Sequence, residues 1–275
     1  MRLAAIVLLT LAACASAPEA PPAADAASPI VIGESWTMMS AALGEARPFN
    51  VFLPPGYSAG EKRYPVVYLL DGGLAQDFQH IAGLAQYGAL SGHYEEVIVV
   101  GVETKDRRRE LTSPSSDPKE IADFPTSGGA GDFRAFIGEL KPIVDRLYRT
   151  DGREALMGES LAGLFVIDAF LNAPETADMF IAISPSLWWD YGKLGKSAAQ
   201  RLAASERAPQ KLYLAIASEK GVMREAMLSL VKALDAGKPV NVEWLFSDRP
   251  DLEHATIYHR EALEAFEWAF GTGEP

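Results

Sequence analysis

Short continuous apolar runs recur along the chain between polar segments. Two of them are PVVYLL at residues 65–70 and VIVVGV at residues 97–102. Runs that do not alternate with polar residues are typical of strands buried on both faces of a parallel sheet. By the same pattern, further strands are predicted at Arg47–Leu53, Ala155–Met157, Phe180–Ser184, Lys211–Ser218 and Val240–Phe246.

Other segments have apolar residues at the spacing of a helix. In Phe133–Tyr148 this spacing is clear, and Pro142 is expected to kink or divide that helix. Further helices are predicted at Leu161–Leu171, Lys196–Glu206, Val222–Leu234 and Ala255–Phe270. Alternating strands and helices indicate an α/β fold with a mostly parallel central sheet and helices on both faces. Residues 103–131 are polar and rich in Pro, Gly and Ser, and such a long loop is expected to serve function or to be disordered.

The first 14 residues have the character of an export signal. Arg2 supplies a positive charge, and the apolar stretch that follows is too short to span a bilayer. The segment ends in Leu-Ala-Ala-Cys, which resembles the lipobox of bacterial lipoproteins, where the cysteine is acylated after cleavage. Acylation would explain why the single cysteine is Cys14. The prediction is an exported lipoprotein, periplasmic or anchored at the outer membrane; a plain cleaved signal is the alternative.

Residues 15–29 are rich in Ala and Pro and predict a semi-extended tether, which leaves residues 30–275 as a single domain. The hydrophobic content of 48% is sufficient for a sizeable core in that domain. A formal net charge of −12 makes a nucleic-acid partner unfavourable, because an acidic surface repels phosphates. The histidines lack metal-ligand spacing, so neither a metal nor another cofactor is predicted.

The strongest chemical signal is the sequence Gly-Glu-Ser-Leu-Ala at residues 158–162, between a predicted strand and a predicted helix. This setting suits a nucleophile elbow, in which a serine occupies a strained turn between small neighbours. Gly158 and Ala162 provide those small neighbours for Ser160, although glycine is more common where Ala162 stands. The alternative is a tight turn with an incidental serine.

Two further residues follow predicted strands in the chain order nucleophile, acid, histidine. They are Glu219 and His254, and the carboxyl ends of parallel strands gather at one edge of a sheet. We therefore predict Ser160 as the nucleophile, His254 as its general base and Glu219 as the acid. The sequence leaves open a dyad without an acid, and it offers the rival acids Asp248, Asp251 and Glu253.

Other residues are candidates for binding the substrate or the oxyanion. Backbone N–H groups of Leu161 and Gly73 are predicted to form the oxyanion hole. Trp188 and Trp189 are candidates for an aromatic wall around an acyl or aryl group, with core packing as the alternative. The arginines at 107–109, Arg107 first among them, are candidates for receiving an anionic substrate or covering the site, although a solvated charge run is favoured.

Together these features resemble the Putative esterase (esterase D-like) family of α/β-hydrolases. The similar segments are PPGY at 54–57, PVVYLLDG at 65–72, SGGAGDF at 127–133, GESLAGLF at 158–165, SPSLWW at 184–189 and the segment from His254. The elbow and DGGLAQD at 71–77 look like those of mycolyltransferase antigens, whereas SPSLWW looks like that of enterochelin-type siderophore esterases.

The resemblance implies a serine carboxylic-ester hydrolase for siderophore-like or other small esters. It supports Ser160, Glu219, His254 and the amides of Gly73 and Leu161 in the roles given above. Because some siderophore esterases work as Ser–His dyads, it leaves the role of Glu219 open. The alternatives are an acyltransferase with the same acyl-enzyme and a binding lipoprotein without catalysis.

Overall fold

The computed structural model describes residues 27–204, 208–237 and 239–272. Chain contacts divide the protein into residues 1–31 and residues 32–275. In the first unit, the described residues 27–31 are exposed and have no regular secondary structure. The predicted signal, Cys14 and most of the predicted tether lie outside the described residues. No helix in the described ranges has both the length and the apolar character to cross a membrane.

Within the described residues, the strands of the second unit form one sheet in the order β1-β2-β4-β3-β5-β6-β7-β8. Their bounds are β1 Glu34–Ser40, β2 Glu45–Phe52, β3 Tyr64–Leu70, β4 Ile98–Val102, β5 Thr150–Glu159, β6 Met179–Ile183, β7 Gln210–Ile216 and β8 Val242–Asp248. The β1–β2 and β2–β4 pairs are antiparallel, and every other pair in the sheet is parallel. The mostly parallel sheet predicted from the apolar runs is therefore confirmed.

Helices cover both faces of this sheet. They are α1 Phe78–Ser91, α2 Arg107–Leu111, α3 Pro118–Asp123, α4 Ala130–Leu147, α5 Leu161–Asn172, α6 Lys193–Lys196, α7 Ala198–Ala204, α8 Val222–Gly237 and α9 His254–Phe270. Buried residues of α4, α5 and α8 pack against one face, and those of α1 and α9 pack against the other. Alternate residues of β3 belong to the two clusters, Tyr68 to the first and Val67 to the second, so this strand is buried on both faces.

Two elements lie where the sequence pattern gave no signal. Strand β1 is largely exposed at the edge of the sheet, so it lacks a regular apolar pattern. Helix α1 is rich in alanine and glycine, and its buried face is short of large apolar residues. Both additions extend the predicted α/β architecture without changing its class.

The expected division of the helix at Pro142 is wrong. Helix α4 continues through this proline from Ala130 to Leu147. Phe136 and Leu140 before the proline and Val144 after it are buried in the same core. Because tertiary packing supplies most of the stability of a helix in a protein, this shared buried face outweighs the lost backbone hydrogen bond.

The long polar segment at residues 103–131 is ordered and contains α2 and α3. Its anchor is a buried ion pair in which Arg47 of β2 donates to both carboxylate oxygens of Glu110, at 2.8 and 2.9 Å. Arg47 also donates to the carbonyl oxygen of Glu103 at the start of the segment. These contacts hold α2 against the edge of the sheet, beside the carboxyl ends of the parallel strands.

Candidate active site

The elbow predicted around Ser160 is a strained turn between β5 and α5. Ser160 has a φ of 58° and a ψ of −117°, a conformation that residues other than glycine rarely adopt. Its N–H donates to the carbonyl oxygen of Ile183 at 3.1 Å, which ties the turn to β6. A Cβ at Gly158 would lie 2.6 Å from the Cβ of Ala162, so a side chain is excluded there. The turn therefore holds the Ser160 hydroxyl at the carboxyl edge of the sheet.

Three residues predicted from the sequence form a hydrogen-bonded chain with His254 in the middle. His254 begins α9, and its Nε2 lies 3.0 Å from the Oγ of Ser160. The Nδ1 of the same ring lies 2.8 Å from the Oε1 of Glu219, which follows β7. This geometry would allow the imidazole to take the Ser160 proton while the carboxylate orients the ring.

The rival acids have other partners. Asp248 and Asp251 each form an ion pair with an arginine, and the side chain of Glu253 caps the first turn of α9. Glu219 is therefore the one of these four carboxylates that the structure places on the Nδ1 of His254.

The surroundings of Glu219 and His254 shift both groups toward their charged forms. Burial opposes ionisation of Glu219, but hydrogen bonds from His254 and Ser184 outweigh it and hold the pKa of the carboxyl below its usual value. The hydrogen bond to Glu219 raises the pKa of His254, although burial of the ring acts in the opposite direction. An ionised Glu219 thus stabilises the imidazolium that proton transfer would create.

A second carboxylate lies on the other side of the imidazole, and sequence reasoning did not assign it a role. The Oε1 of Glu159 is 3.3 Å from the Nε2 of His254. Burial raises the pKa of Glu159 to about 7, while the charges of His254 and Arg107 act against that rise. The sequence feature that could have pointed to Glu159 is its position directly before Ser160, because the residue next to a serine at a sharp turn also lies near the site.

The two amides predicted for the oxyanion hole differ in their availability. Leu161 is the first residue of α5, and its N–H has no hydrogen-bond partner among the residues that the structure describes. The N–H of Gly73 instead donates to the Oε1 of Gln76 at 2.9 Å. The Nε2 of Gln76 donates in turn to the carbonyl oxygen of Thr104 at 3.0 Å. The Gly73 amide is therefore bonded within the protein and would face a ligand only after the Gln76 side chain moved.

The two tryptophans have different environments. Trp189 is 4% exposed, and its indole N–H donates to the carbonyl oxygen of Ser113 at 2.8 Å. Of the two interpretations offered for Trp189, these contacts favour core packing over a substrate-binding wall. Trp188 is partly exposed, and its ring centre lies 5.3 Å from the guanidinium carbon of Arg108.

The three arginines make specific contacts, which corrects the interpretation of them as a solvated charge run. Arg107 forms an ion pair with Asp71 at 2.8 Å, and its charge acts on Glu159 and His254. Arg108 lies 4.0 Å from the ring centre of Phe124, and Arg109 pairs with two carboxylates. Arg107 is exposed and stays a candidate for contact with a substrate, whereas Arg108 and Arg109 are held by contacts within the fold.

Comparison with known proteins places these features in a family. The family model described as Putative esterase matches residues 40–235. Ferri-bacillibactin esterase BesA of Bacillus subtilis (strain 168) is 31% identical over 204 residues, which cover 68% of this chain and 70% of that protein.

Solved structures show the same architecture. An IroE-like serine hydrolase from Shewanella oneidensis aligns with a TM-score of 0.78 and 26% identity, over 86% of this chain and 80% of that one. Siderophore hydrolase EstB of Aspergillus nidulans aligns with a TM-score of 0.72 and 20% identity, over 91% of this chain and 98% of that one. The fold is the α/β-hydrolase fold, as the elbow and the strand order indicated.

The geometry predicts how the reactivity of Ser160 depends on pH. Because His254 must be neutral to accept the proton, the rate of labelling by a fluorophosphonate should rise with pH through a midpoint above about 6.5, the ordinary histidine value. Glu159→Gln should move the midpoint to lower pH, because it removes a negative charge that favours the imidazolium.

The matched control is Glu243→Gln, which neutralises an exposed carboxylate on β8 that pairs with Lys211. It should leave the midpoint unchanged. If Glu159→Gln and the wild type have equal midpoints, Glu159 does not raise the pKa of His254. If the wild-type midpoint lies below the pKa of free histidine, Glu219 does not raise it either.

Proposed function

The chain belongs to the Putative esterase family and is a carboxylic ester hydrolase, and we propose that Ser160, His254 and Glu219 perform its chemistry as a catalytic triad. The observation that carries this proposal is the continuous hydrogen-bonded path through the imidazole. It runs from Glu219 Oε1 to Nδ1 over 2.8 Å and from Nε2 to Ser160 Oγ over 3.0 Å.

In the proposed reaction, the Oγ of Ser160 attacks the ester carbonyl carbon while the Nε2 of His254 takes the hydroxyl proton. When the bond to the leaving group breaks, the imidazolium gives that proton to the departing alkoxide, which leaves as an alcohol, and the acyl group stays on the Oγ of Ser160 as an ester. Water attacks the acyl ester with His254 again as the base, and the acid product leaves. The negative charge of Glu219 stabilises the imidazolium in both halves of the cycle.

The negative charge on the oxygen of the tetrahedral intermediate is stabilised by hydrogen-bond donors that are in place before the reaction begins. The N–H of Leu161 meets this requirement, because it opens α5 and lies at the positive end of the helix dipole. Gly73 is the proposed second donor, and it serves in that role once Gln76 releases its N–H. Binding of the ester carbonyl and release of the Gln76 side chain are then one coupled event.

We propose siderophore-like esters as the substrates. Relatives in the family include a ferri-bacillibactin esterase and a siderophore hydrolase. In this chain, a partly exposed Trp188 in the segment after β6 can contact a flat acyl group, and Arg107 can attract an anionic one. Both belong to segments that follow carboxyl ends of strands, on the same edge of the sheet as Ser160.

Export and anchoring form a separate proposal that rests on the sequence of the first 14 residues. We propose that Cys14 is acylated and holds the domain at a membrane surface, because two or three acyl chains together anchor firmly.

Three single substitutions test the triad. Ser160→Ala should abolish hydrolysis of p-nitrophenyl esters above the rate in buffer, and Glu219→Gln should lower kcat by roughly 10⁴-fold, as expected when the imidazole loses its orienting carboxylate. Asp248→Asn should stay within about threefold of the wild type, because this residue pairs with Arg224. Full activity in Glu219→Gln would reject Glu219 as the acid and indicate a Ser160–His254 dyad. Equal losses of activity in Glu219→Gln and Asp248→Asn would mean that these variants do not distinguish the two candidate acids.

The substrate proposal is tested by kcat/KM for ferric and iron-free trilactone siderophores beside simple p-nitrophenyl esters, with products separated by chromatography. We expect the trilactones to be preferred and Ser160→Ala to cleave neither class. If the simple esters are cleaved and the trilactones stay intact, the substrate proposal is rejected and the triad proposal is retained. Transfer of the acyl group to added alcohols in place of free acid would favour an acyltransferase.

Radiolabelled palmitate tests the anchor. When the full chain is expressed in a bacterium, the label should enter the wild type and be absent from Cys14→Ala, because the thiol is the acylated group. Equal incorporation into both would refute acylation at this cysteine.

A further inference from the structure

The turn that follows β6 places two buried hydroxyls against the proposed triad. It consists of Ser184, Pro185 and Ser186, and both serines are nearly or fully buried. The Oγ of Ser184 lies 2.9 Å from the Nδ1 of His254 and also hydrogen-bonds the Oε1 of Glu219. The Oγ of Ser186 lies 3.2 Å from the Oγ of Ser160. The turn thus contacts all three members of the triad from an element that contributes none of them.

We propose that Ser184 and Ser186 are positioning residues: Ser184 fixes the imidazole and its carboxylate, and Ser186 fixes the nucleophile. This proposal rests on the proposed triad, and it assigns the two hydroxyls separate tasks that can be measured separately.

The protonation state of His254 determines how Ser184 contributes. When the Nε2 of His254 accepts the proton of Ser160, its Nδ1 must carry the other ring proton. The Nδ1–H is then shared between Glu219 Oε1 and Ser184 Oγ, and the Ser184 hydroxyl donates its own proton to Glu219. Two acceptors on different elements define the plane of the ring more closely than one acceptor does.

The carboxylate depends on the same hydroxyl. The Oε2 of Glu219 is buried and has no hydrogen-bond partner among the described residues, so Oε1 accepts from both His254 and Ser184. Hydrogen bonds to the charged form keep a buried carboxyl ionised. Removal of the Ser184 hydroxyl would therefore leave His254 as the single side-chain partner of this carboxylate among the described residues.

The backbone at Ser184 argues that the side chain itself is required. Ser184 has a φ of 43°, in the left-handed region that glycine adopts without strain. Its N–H donates to the carbonyl oxygen of Ala215 at 2.8 Å, which fixes the turn onto β7. On the other side, a Cβ at Gly163 would lie 3.0 Å from the Cα of Pro185, so α5 packs closely against the turn. Glycine would meet the backbone requirement at 184 but would lack the hydroxyl that bonds to His254 and Glu219.

Ser186 acts on the nucleophile through two contacts. Its N–H donates to the carbonyl oxygen of Ser160 at 2.8 Å, which joins the two turns. Because the Ser160 hydroxyl donates to His254, the Ser186 hydroxyl is the donor toward the Oγ of Ser160. This bond holds the Ser160 side chain in the rotamer that faces the imidazole.

Ser184→Ala and Ser184→Gly test the first task. Both remove the hydroxyl, and the glycine variant also relieves the strained φ, so it is expected to fold even if the alanine variant does not. Both should lower kcat by roughly 10- to 100-fold with KM within about twofold, because the lost bond serves a charged network. The low-field proton NMR signal of His254 Nδ1–H should shift or broaden in both.

Ser186→Ala tests the second task. It should slow fluorophosphonate labelling of Ser160 by roughly 3- to 10-fold and leave the Nδ1–H signal in place, because Ser186 contacts the nucleophile and not the imidazole. The control is Ser229→Ala, in which the lost hydroxyl bonds to a carbonyl oxygen within α8. It should change none of these readouts.

Wild-type kcat in Ser184→Gly, or an unchanged Nδ1–H signal in it, would overturn the positioning role of Ser184. Unchanged labelling in Ser186→Ala would overturn the role of Ser186. These failures differ from a failure of the triad, which would appear as activity retained in Ser160→Ala.

Discussion

The hydrogen bond between Glu219 and the Nδ1 of His254 is the interaction on which the rest of the site depends. In the proposed triad it would favour the tautomer that presents an unprotonated Nε2 to Ser160, and it raises the pKa of the ring. The fold provides this bond by ending β7 and beginning α9 at the same edge of the sheet. Without it, the strained turn at Ser160 would present a hydroxyl with no oriented base.

Two carboxylates lie next to the imidazole of His254. Glu219 lies on Nδ1, and its hydrogen bonds hold the pKa of this carboxyl below its usual value, whereas Glu159 approaches Nε2 and burial raises its pKa to about 7. Arg107, held by Asp71, is the cation whose charge opposes this accumulation. In the proposed mechanism, the balance between these charges influences how much of the imidazole is neutral at a given pH.

Sequence reasoning predicted those parts of the protein that depend on local pattern and chain order. The apolar runs gave the parallel strands, and the small residues around Ser160 together with the order of Glu219 and His254 gave the residues that meet at the edge of the sheet. It did not predict Ser184, Glu159 or the contact between Gly73 and Gln76, because such side-chain contacts form between positions that no spacing rule connects. The sequence left the burial of Trp189 open and did not predict the continuity of α4 through Pro142, because tertiary packing decides both.

The ion pair between Arg47 and Glu110 joins the antiparallel edge of the sheet to the segment that carries Arg107. Loss of one partner from a buried ion pair is destabilising, although Glu45 also contacts Arg47 and Arg109 also contacts Glu110. Exchange of the 103–131 segment between relatives, in evolution or in the laboratory, would therefore have to carry a matching residue at position 47. The segment is therefore coupled to a distant position of β2 and is not a freely interchangeable loop.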